Sequence, residues 1–297
     1  MYDICCIGHI TLDKIVTPHS VAEMAGGTSF YFSNAICQMD INYMMVTSLA
    51  ETEYRFIADL RNKGIHVKVL PGTHTVFFEN KYGENPDERT QRVFQKAAPF
   101  TIEQLFTVEA QVFHLGPLLA DDISVGLIQS LSKKGKVSLD VQGYLREVQN
   151  EKVCPVDWPH KMEALPYIDF LKASEHEMKV LTGFSDIRAG AKCLYDWGAK
   201  EVIITMGSKG SVIYNGQQFY DISAFTPQAV VDGTGCGDTY MAGYLYQRIK
   251  GAGIQEAGEF AAAMATLNIE SSGPFTGNKN DVLQLLAEDR VKVFSAE

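Results

Sequence analysis

The chain of 297 residues is 46% apolar and 21% charged, an ordinary globular composition with material for one large or two small domains. Its formal charge of −10 argues against a general nucleic-acid binder, yet leaves an anionic ligand open, because backbone amides and a metal hold phosphate on an acidic protein. No apolar run approaches the roughly 18 residues of a membrane span. Residues 1–8 lack a basic region followed by a long apolar stretch, and the six scattered cysteines (5, 6, 37, 154, 193 and 236) suit reduced thiols. Together these features predict a cytoplasmic protein with no membrane partner.

In chain order, β-rich runs at 4–7, 43–47, 67–70, 112–115, 137–141, 170–173 and 202–206 alternate with helical patterns at 29–39, 55–63, 122–133, 175–181 and 187–197. Several helical patterns stop at a glycine, as in Lys63-Gly64, Lys134-Gly135 and Trp197-Gly198. Such alternation predicts an α/β fold with a mainly parallel sheet, whose ligands collect at the carboxyl ends of the strands. Two segments break the rhythm. Residues 11–24 are irregular, and 73–97 hold an alternating run at 74–82, a turn at 83–87 and a returning run at 89–95. The second reads as a projecting hairpin, either over a ligand or merely on the surface. Helices near 254–271 and 279–288 close the body.

The densest chemical feature is Asp232-Gly233-Thr234-Gly235-Cys236-Gly237-Asp238, followed by a helical pattern. Alternate glycines before a helix leave backbone N–H groups aimed into one small space where no side chain keeps an anion away. Asp238, in the first turn, is placed to take a proton from a substrate hydroxyl while those amides hold phosphoryl oxygens. From these letters alone, an Asp complementing the helix dipole after a tight turn is equally open. No Gly-Lys-Ser/Thr follows, so this is not a Walker A loop, and Gly8-His9-Ile10 is no dinucleotide fingerprint.

This stretch resembles the Asp-Thr-x-Gly-Ala-Gly-Asp motif of the ribokinase-like, or PfkB, carbohydrate kinases, with Gly233 in place of threonine and Cys236 in place of alanine. The resemblance runs over essentially the whole chain. It implies a three-layer α/β/α sandwich (1–10, 25–72 and 98–297) under a small β lid (11–24 and 73–97). It also implies Asp238 as general base, an anion hole from the amides of Gly235, Cys236 and Gly237, and Thr234 beside the nucleotide. Ala25-Gly26-Gly27 with Asn34 is similar to the family's Gly-Gly…Asn substrate motif, and Asp13 matches its hydroxyl-binding acid, a bidentate acceptor suited to a polyol. Asp140-Val141-Gln142 and Arg146 resemble Asp-x-Asn-x-x-x-Arg, implying Gln142 and Arg146 at the substrate, although a structural Asp–Arg pair explains the same letters.

Ser174-Glu175-His176-Glu177 resembles Asn-x-x-Glu, which implies Glu177 on the water shell of Mg²⁺ and Ser174 near the nucleotide; a helix capping box fits as well. Thr205, Gly207 and Gly210 resemble the family's nucleotide-site Thr-x-Gly-x-x-Gly. Residues 261–272, Asn268 among them, would wall the adenine pocket. The implied cofactors are ATP and Mg²⁺, with a monovalent cation in question because of Gly233. The hairpin with Glu79 and Arg89, Ala98-Pro99-Phe100-Thr101 and Asp140–Gly143 is similar to a bacterial branch associated with inositol or sugar-acid metabolism, which implies Glu79 at the substrate. Apolar Val76, Phe77 and Phe78 make a homodimer through the lid a further expectation.

The implied activity is ATP-dependent phosphorylation of a hydroxyl on a small sugar, sugar acid or cyclitol. The alternatives are a nucleoside kinase of the same family, a nicotinamide-dependent oxidoreductase suggested by the α/β pattern alone, and a non-catalytic sugar-binding protein. The missing N-terminal glycine fingerprint counts against the second, and the retained Asp238 and glycines against the third.

Overall fold

Every residue from Ile4 to Ile7 is fully buried, the mark of a strand covered by helices on both faces. That strand, β1 (Tyr2–Ile7), lies inside a computed structural model that describes residues 1–82 and 89–295; the expected turn at 83–87 lies outside the described residues. Nine strands form the central sheet in the order β15 (Phe219–Ile222), β14 (Ser211–Tyr214), β13 (Glu201–Thr205), β12 (Phe170–Ser174), β9 (Lys136–Asp140), β8 (Ala110–Leu115), β1, β4 (Tyr43–Leu49) and β5 (His66–Pro71), numbered along the chain. All neighbours run parallel except in the β13–β14–β15 meander.

Ten helices accompany the two sheets among the described residues: α1 (Thr28–Ile36), α2 (Tyr54–Asn62), α3 (Ile102–Leu105), α4 (Val125–Ser132), α5 (Lys161–Ala164), α6 (Glu175–Thr182), α7 (Ile187–Asp196), α8 (Cys236–Ile249), α9 (Ile254–Ile269) and α10 (Lys279–Ser295). The pleat of β1 divides the core. Ile4 and Cys6 pack with α1, α8 and α9, whereas Cys5 and Ile7 pack with α4, α6 and α7, giving helix, sheet and helix layers. Among the described residues no helix is long and apolar enough to cross a membrane.

A second sheet of six strands covers the carboxyl end of the first, in the order β10 (Arg146–Gln149), β11 (Lys152–Pro155), β7 (Arg89–Gln95), β6 (Val76–Tyr82), β2 (Thr11–Val16) and β3 (Val21–Gly26). The segment read as irregular is the antiparallel hairpin β2–β3. Residues 146–155, read as part of the body, are the hairpin β10–β11, which joins the lid where Lys152 faces Arg92. In β6 the pleat turns Val76, Phe78 and Asn80 inward. Val76 and Phe78 are buried with Val93, Leu118 and Leu119, so of the apolar stretch expected for a lid-to-lid contact only Phe77, edge-on to Phe94, stays part-exposed.

Candidate active site

Between the two sheets lies a cavity of about 870 Å³. Strand β2 turns Thr11 and Asp13 into it on alternate positions, and β6 and β7 supply Asn80 and Gln91. From the body come Asp140 at the end of β9, Gln142 just after it, and Arg146 where the chain enters the lid. Strand β12 contributes Lys172, and the glycine loop before α8 contributes Thr234, Gly235, Gly237 and Asp238. The site therefore lies at the carboxyl ends of parallel strands, where the helices that follow them begin.

The glycine loop has a reason for each glycine that matters. Gly235 is the N-cap of α8 in the left-handed region, at φ 75°, and a Cβ there would strike the Tyr31 ring. At Gly237 a Cβ would stand 3.2 Å from Lys172 Nζ. The loop is braced from behind: Thr234 N–H donates to Asp232 Oδ1 at 2.9 Å, and Asn268 Nδ2 donates to the Thr234 carbonyl at 3.1 Å. First-turn N–H groups have no acceptor within their own helix and carry the positive end of its dipole, so the cradle fits an anion.

Asp238 sits part-buried at the cavity edge, and its carboxyl is pushed up to about 8. Burial is the main cause, with the Asp140 charge second, and Lys172, a hydrogen bond from Thr28 and the charge of Arg146 oppose them. Lys172 donates to Asp140 Oδ2 at 2.8 Å and lies 4.0 Å from Glu177 Oε2. Burial alone would discharge the amine, but Asp140 and then Glu177 raise its pKa, so it is an ammonium at neutral pH.

Of the residues singled out from sequence, the cavity brings together Asp13, Gly27, Gln142, Arg146, Thr234, Gly235, Gly237 and Asp238. Gly26 lies behind Asp13, where a Cβ would meet Thr11 Oγ1 at 2.8 Å. Three placements differ from expectation. Asn34 turns away: its Nδ2 donates to the Phe30 carbonyl at 2.9 Å and its Oδ1 accepts from Lys63 Nζ at 2.5 Å, because α1 rotates this position into the body. Glu79 is on the opposite face of β6 from Asn80, paired with Lys14 at 2.9 Å. The Cys236 N–H is engaged by the Gly233 carbonyl at 3.3 Å, and its thiol, pushed up by burial, faces Ala265 and Asn268 rather than the cavity. Thr205, Gly207, Gly210 and Asn268 do not line the cavity; Asn268 is fully buried beneath the loop.

Lys172, Asn80 and Gln91 were missed by sequence reasoning. A lysine inside the apolar run Phe170-Leu171-Lys172-Ala173 was a readable signal, since buried charges require partners.

The implied Mg²⁺ finds a restricted fit. Glu177 Oε2 accepts the Ser174 N–H at 2.7 Å while Ser174 Oγ accepts the Glu177 N–H at 3.2 Å, a complete capping box. Lys172 stands between Asp140 and Glu177, and among the described residues no group of three or more metal-binding side chains exists. This suits an ion carried on phosphates and waters, and not one held directly by several carboxylates.

The sequence pattern of the pfkB family carbohydrate kinases matches residues 51–281. The chain belongs to this family. Its relatives include a cytidine kinase of Thermococcus kodakarensis, 27% identical over 268 residues, covering 86% of this chain and 92% of that one. Among solved structures, a pyrophosphate-dependent kinase of the ribokinase family, complexed with a pyrophosphate analog and myo-inositol, has a TM-score of 0.86 at 28% identity, covering 95% of this chain and 99% of its own. A sulfate complex of a pyrophosphate-dependent kinase of that family also has a TM-score of 0.86, at 29% identity and the same coverage. The PfkB chain described here is thus a phosphotransferase acting on a hydroxyl acceptor, with a ribokinase-type α/β fold.

Proposed function

We propose that this PfkB kinase phosphorylates a hydroxyl of a small polyol, a cyclitol of the inositol type or a sugar, with Asp238 as general base. The observation that carries the reading is that Asp238 and the Gly235–Gly237 loop share one cavity with Asp13 of the lid. Asp13 accepts hydroxyl hydrogens in pairs, while Asn80, Gln142 and Arg146 offer donors to the remaining oxygens. The acceptor oxygen attacks phosphorus as Asp238 takes its proton, and the loop amides hold the phosphoryl oxygens. Glu177 and Asp140 would hold Mg²⁺ through water, and the ion would offset the charge of the donor's phosphates.

ATP is the donor implied by the family, with Thr205, Gly207 and Gly210 on the nucleoside side and Asn268 bracing the loop from behind. Pyrophosphate is the second reading, favoured by the two pyrophosphate-dependent neighbours and by a cavity whose lining includes the phosphate loop and none of those four residues. The lid supports a cyclitol. In another neighbour, a pyrophosphate-dependent myo-inositol-1 kinase, changing an asparagine and a serine eleven positions apart to leucine made a myo-inositol-3 kinase. In this chain Gln91 Nε2 donates to Asn80 Oδ1 at 2.9 Å across a separation of 11 residues, and both line the cavity.

The test is product formation with Mg²⁺ and either ATP or pyrophosphate against inositols, hexoses, pentoses, sugar acids and nucleosides including cytidine. Phosphorylated cyclitol or sugar is expected. Turnover of nucleosides alone would replace this reading with a nucleoside kinase, and folded protein that transfers from neither donor to any acceptor would sink it.

A further inference from the structure

Lys172 lies in a strand otherwise buried among apolar neighbours, with its own side chain only 7% exposed. Its bond to Asp140 would account for a structural ion pair. Two further observations point elsewhere. The side chain lines the cavity, and its Nζ lies directly against the first turn of α8, where a Cβ on Gly237 would come within 3.2 Å. Among the described residues Lys172 and Arg146 are the lysine and arginine side chains that line the cavity, and Lys172 is the one packed against the glycine loop. A phosphoryl group entering there brings negative charge toward Asp140, Glu177 and Asp238, which form the acidic surroundings of Lys172. Without a fixed cation the amides alone would have to hold that charge beside three carboxyl groups.

We infer that Lys172 touches the transferred phosphoryl group and stabilises its charge between donor and acceptor. The acceptor oxygen forms its bond to phosphorus and gives its proton to Asp238. The bond from phosphorus to the donor oxygen breaks, and its electron pair stays on that oxygen. Lys172 keeps its proton throughout and offsets charge on the phosphoryl oxygens. This role rests on the kinase reading, but not on which hydroxyl or which donor is used.

The test is Lys172→Met with inorganic pyrophosphate binding measured calorimetrically without acceptor, alongside steady-state kinetics with the active donor. Pyrophosphate binding about tenfold weaker or more and kcat down about a hundredfold are expected, with acceptor KM within about threefold. A folded variant with pyrophosphate affinity and kcat within about threefold of the parent overturns the role and leaves a structural ion pair. Because a lone Asp140 carboxylate would be left buried, the Asp140→Asn/Lys172→Met variant restores neutrality, and it is read against Asp140→Asn alone, with the same losses expected and the same near-parity overturning the role. The unaltered protein crystallised with methylenediphosphonate is expected to show Nζ about 3 Å from a phosphonate oxygen. An analog bound at the loop but out of reach of Nζ overturns the inference; where the unaltered protein binds neither anion, ATP and its β,γ-methylene analog replace them in both measurements, with the same expected and overturning results.

Discussion

Asn268 Nδ2 donates to the Thr234 carbonyl at 3.1 Å and lies 3.4 Å from Cys236 Sγ, tying α9 to the loop that opens α8. The Asn268 side chain is fully buried and does not line the cavity, so it holds the loop in shape from behind. Asn268→Leu keeps the volume and removes the donor. Its expected effect is donor KM up by about tenfold, with acceptor KM little changed, and a lower melting temperature from the unsatisfied carbonyl. Equal rises in both KM values would show that Asn268 supports the whole fold and not the loop.

Asp238→Asn removes the proposed base and keeps the shape. Turnover is expected to fall by at least about a hundredfold while calorimetric binding of acceptor and donor persists. Near-parental turnover would eliminate Asp238 as the base.

The raised pKa of Asp238 carries a sign that can be checked. Its value of about 8, against 3.8 for an ordinary aspartate, means the folded state keeps a proton that the unfolded chain loses. Stability from this group is therefore present at low pH and lost as pH rises from about 4 to about 8. Asp238→Asn should match the parent in melting temperature near pH 4 and exceed it increasingly toward pH 8, with the gap constant above. In the parent, kcat/KM should rise with pH to a plateau above about 8, because the base must be ionised. A gap that shrinks with rising pH would contradict the burial of an uncharged Asp238.

Asn80→Leu removes an amide from the cavity wall and leaves Gln91 Nε2 without its acceptor. A change in the ratio of phosphorylated positions on a cyclitol is expected, read by NMR of the product, together with acceptor KM raised by about tenfold or more. An unchanged product and KM would mean the lid pair only supports the hairpin.

Glu79→Gln provides the contrast. Its partner is Lys14, whose side chain is 33% exposed, on the far face of the lid. Glu79 itself is part-buried, so loss of the pair is expected to lower the melting temperature slightly, while kcat and acceptor KM move by less than about threefold. A large loss of acceptor affinity would return Glu79 to the substrate site.

The fold was legible where burial and punctuation agreed. β1 reads as a run of apolar residues because helices cover both its faces, and Gly64 and Gly198 mark helix ends in the left-handed region. The β10–β11 hairpin was not legible. Its turn is Asn150-Glu151, both at positive φ, and a glutamate there gives no Asn-Gly signal, while the strands are polar on one side. In the site, Asp13 and Asp238 stood out through motif and spacing. Glu79 and Asn80 differ only in strand parity, which the letters of one hairpin do not settle, since a single-residue shift exchanges the two faces. Asn34 needed the rotation of α1, which depends on packing against Lys63 from a distant segment.

The order β12-β9-β8-β1-β4 puts neighbouring walls of the cavity on segments far apart along the chain. Asp13 is made early in translation, Asp140 and Lys172 midway, and the glycine loop arrives together with Asp238 on the single stretch 232–238. No nascent chain ending before that stretch holds either the loop or Asp238. On the proposed mechanism, biosynthesis thus withholds the donor-activating groups until the proposed acceptor wall and its cover have been synthesised, and an unfinished chain has no competent site in which donor could be spent on water.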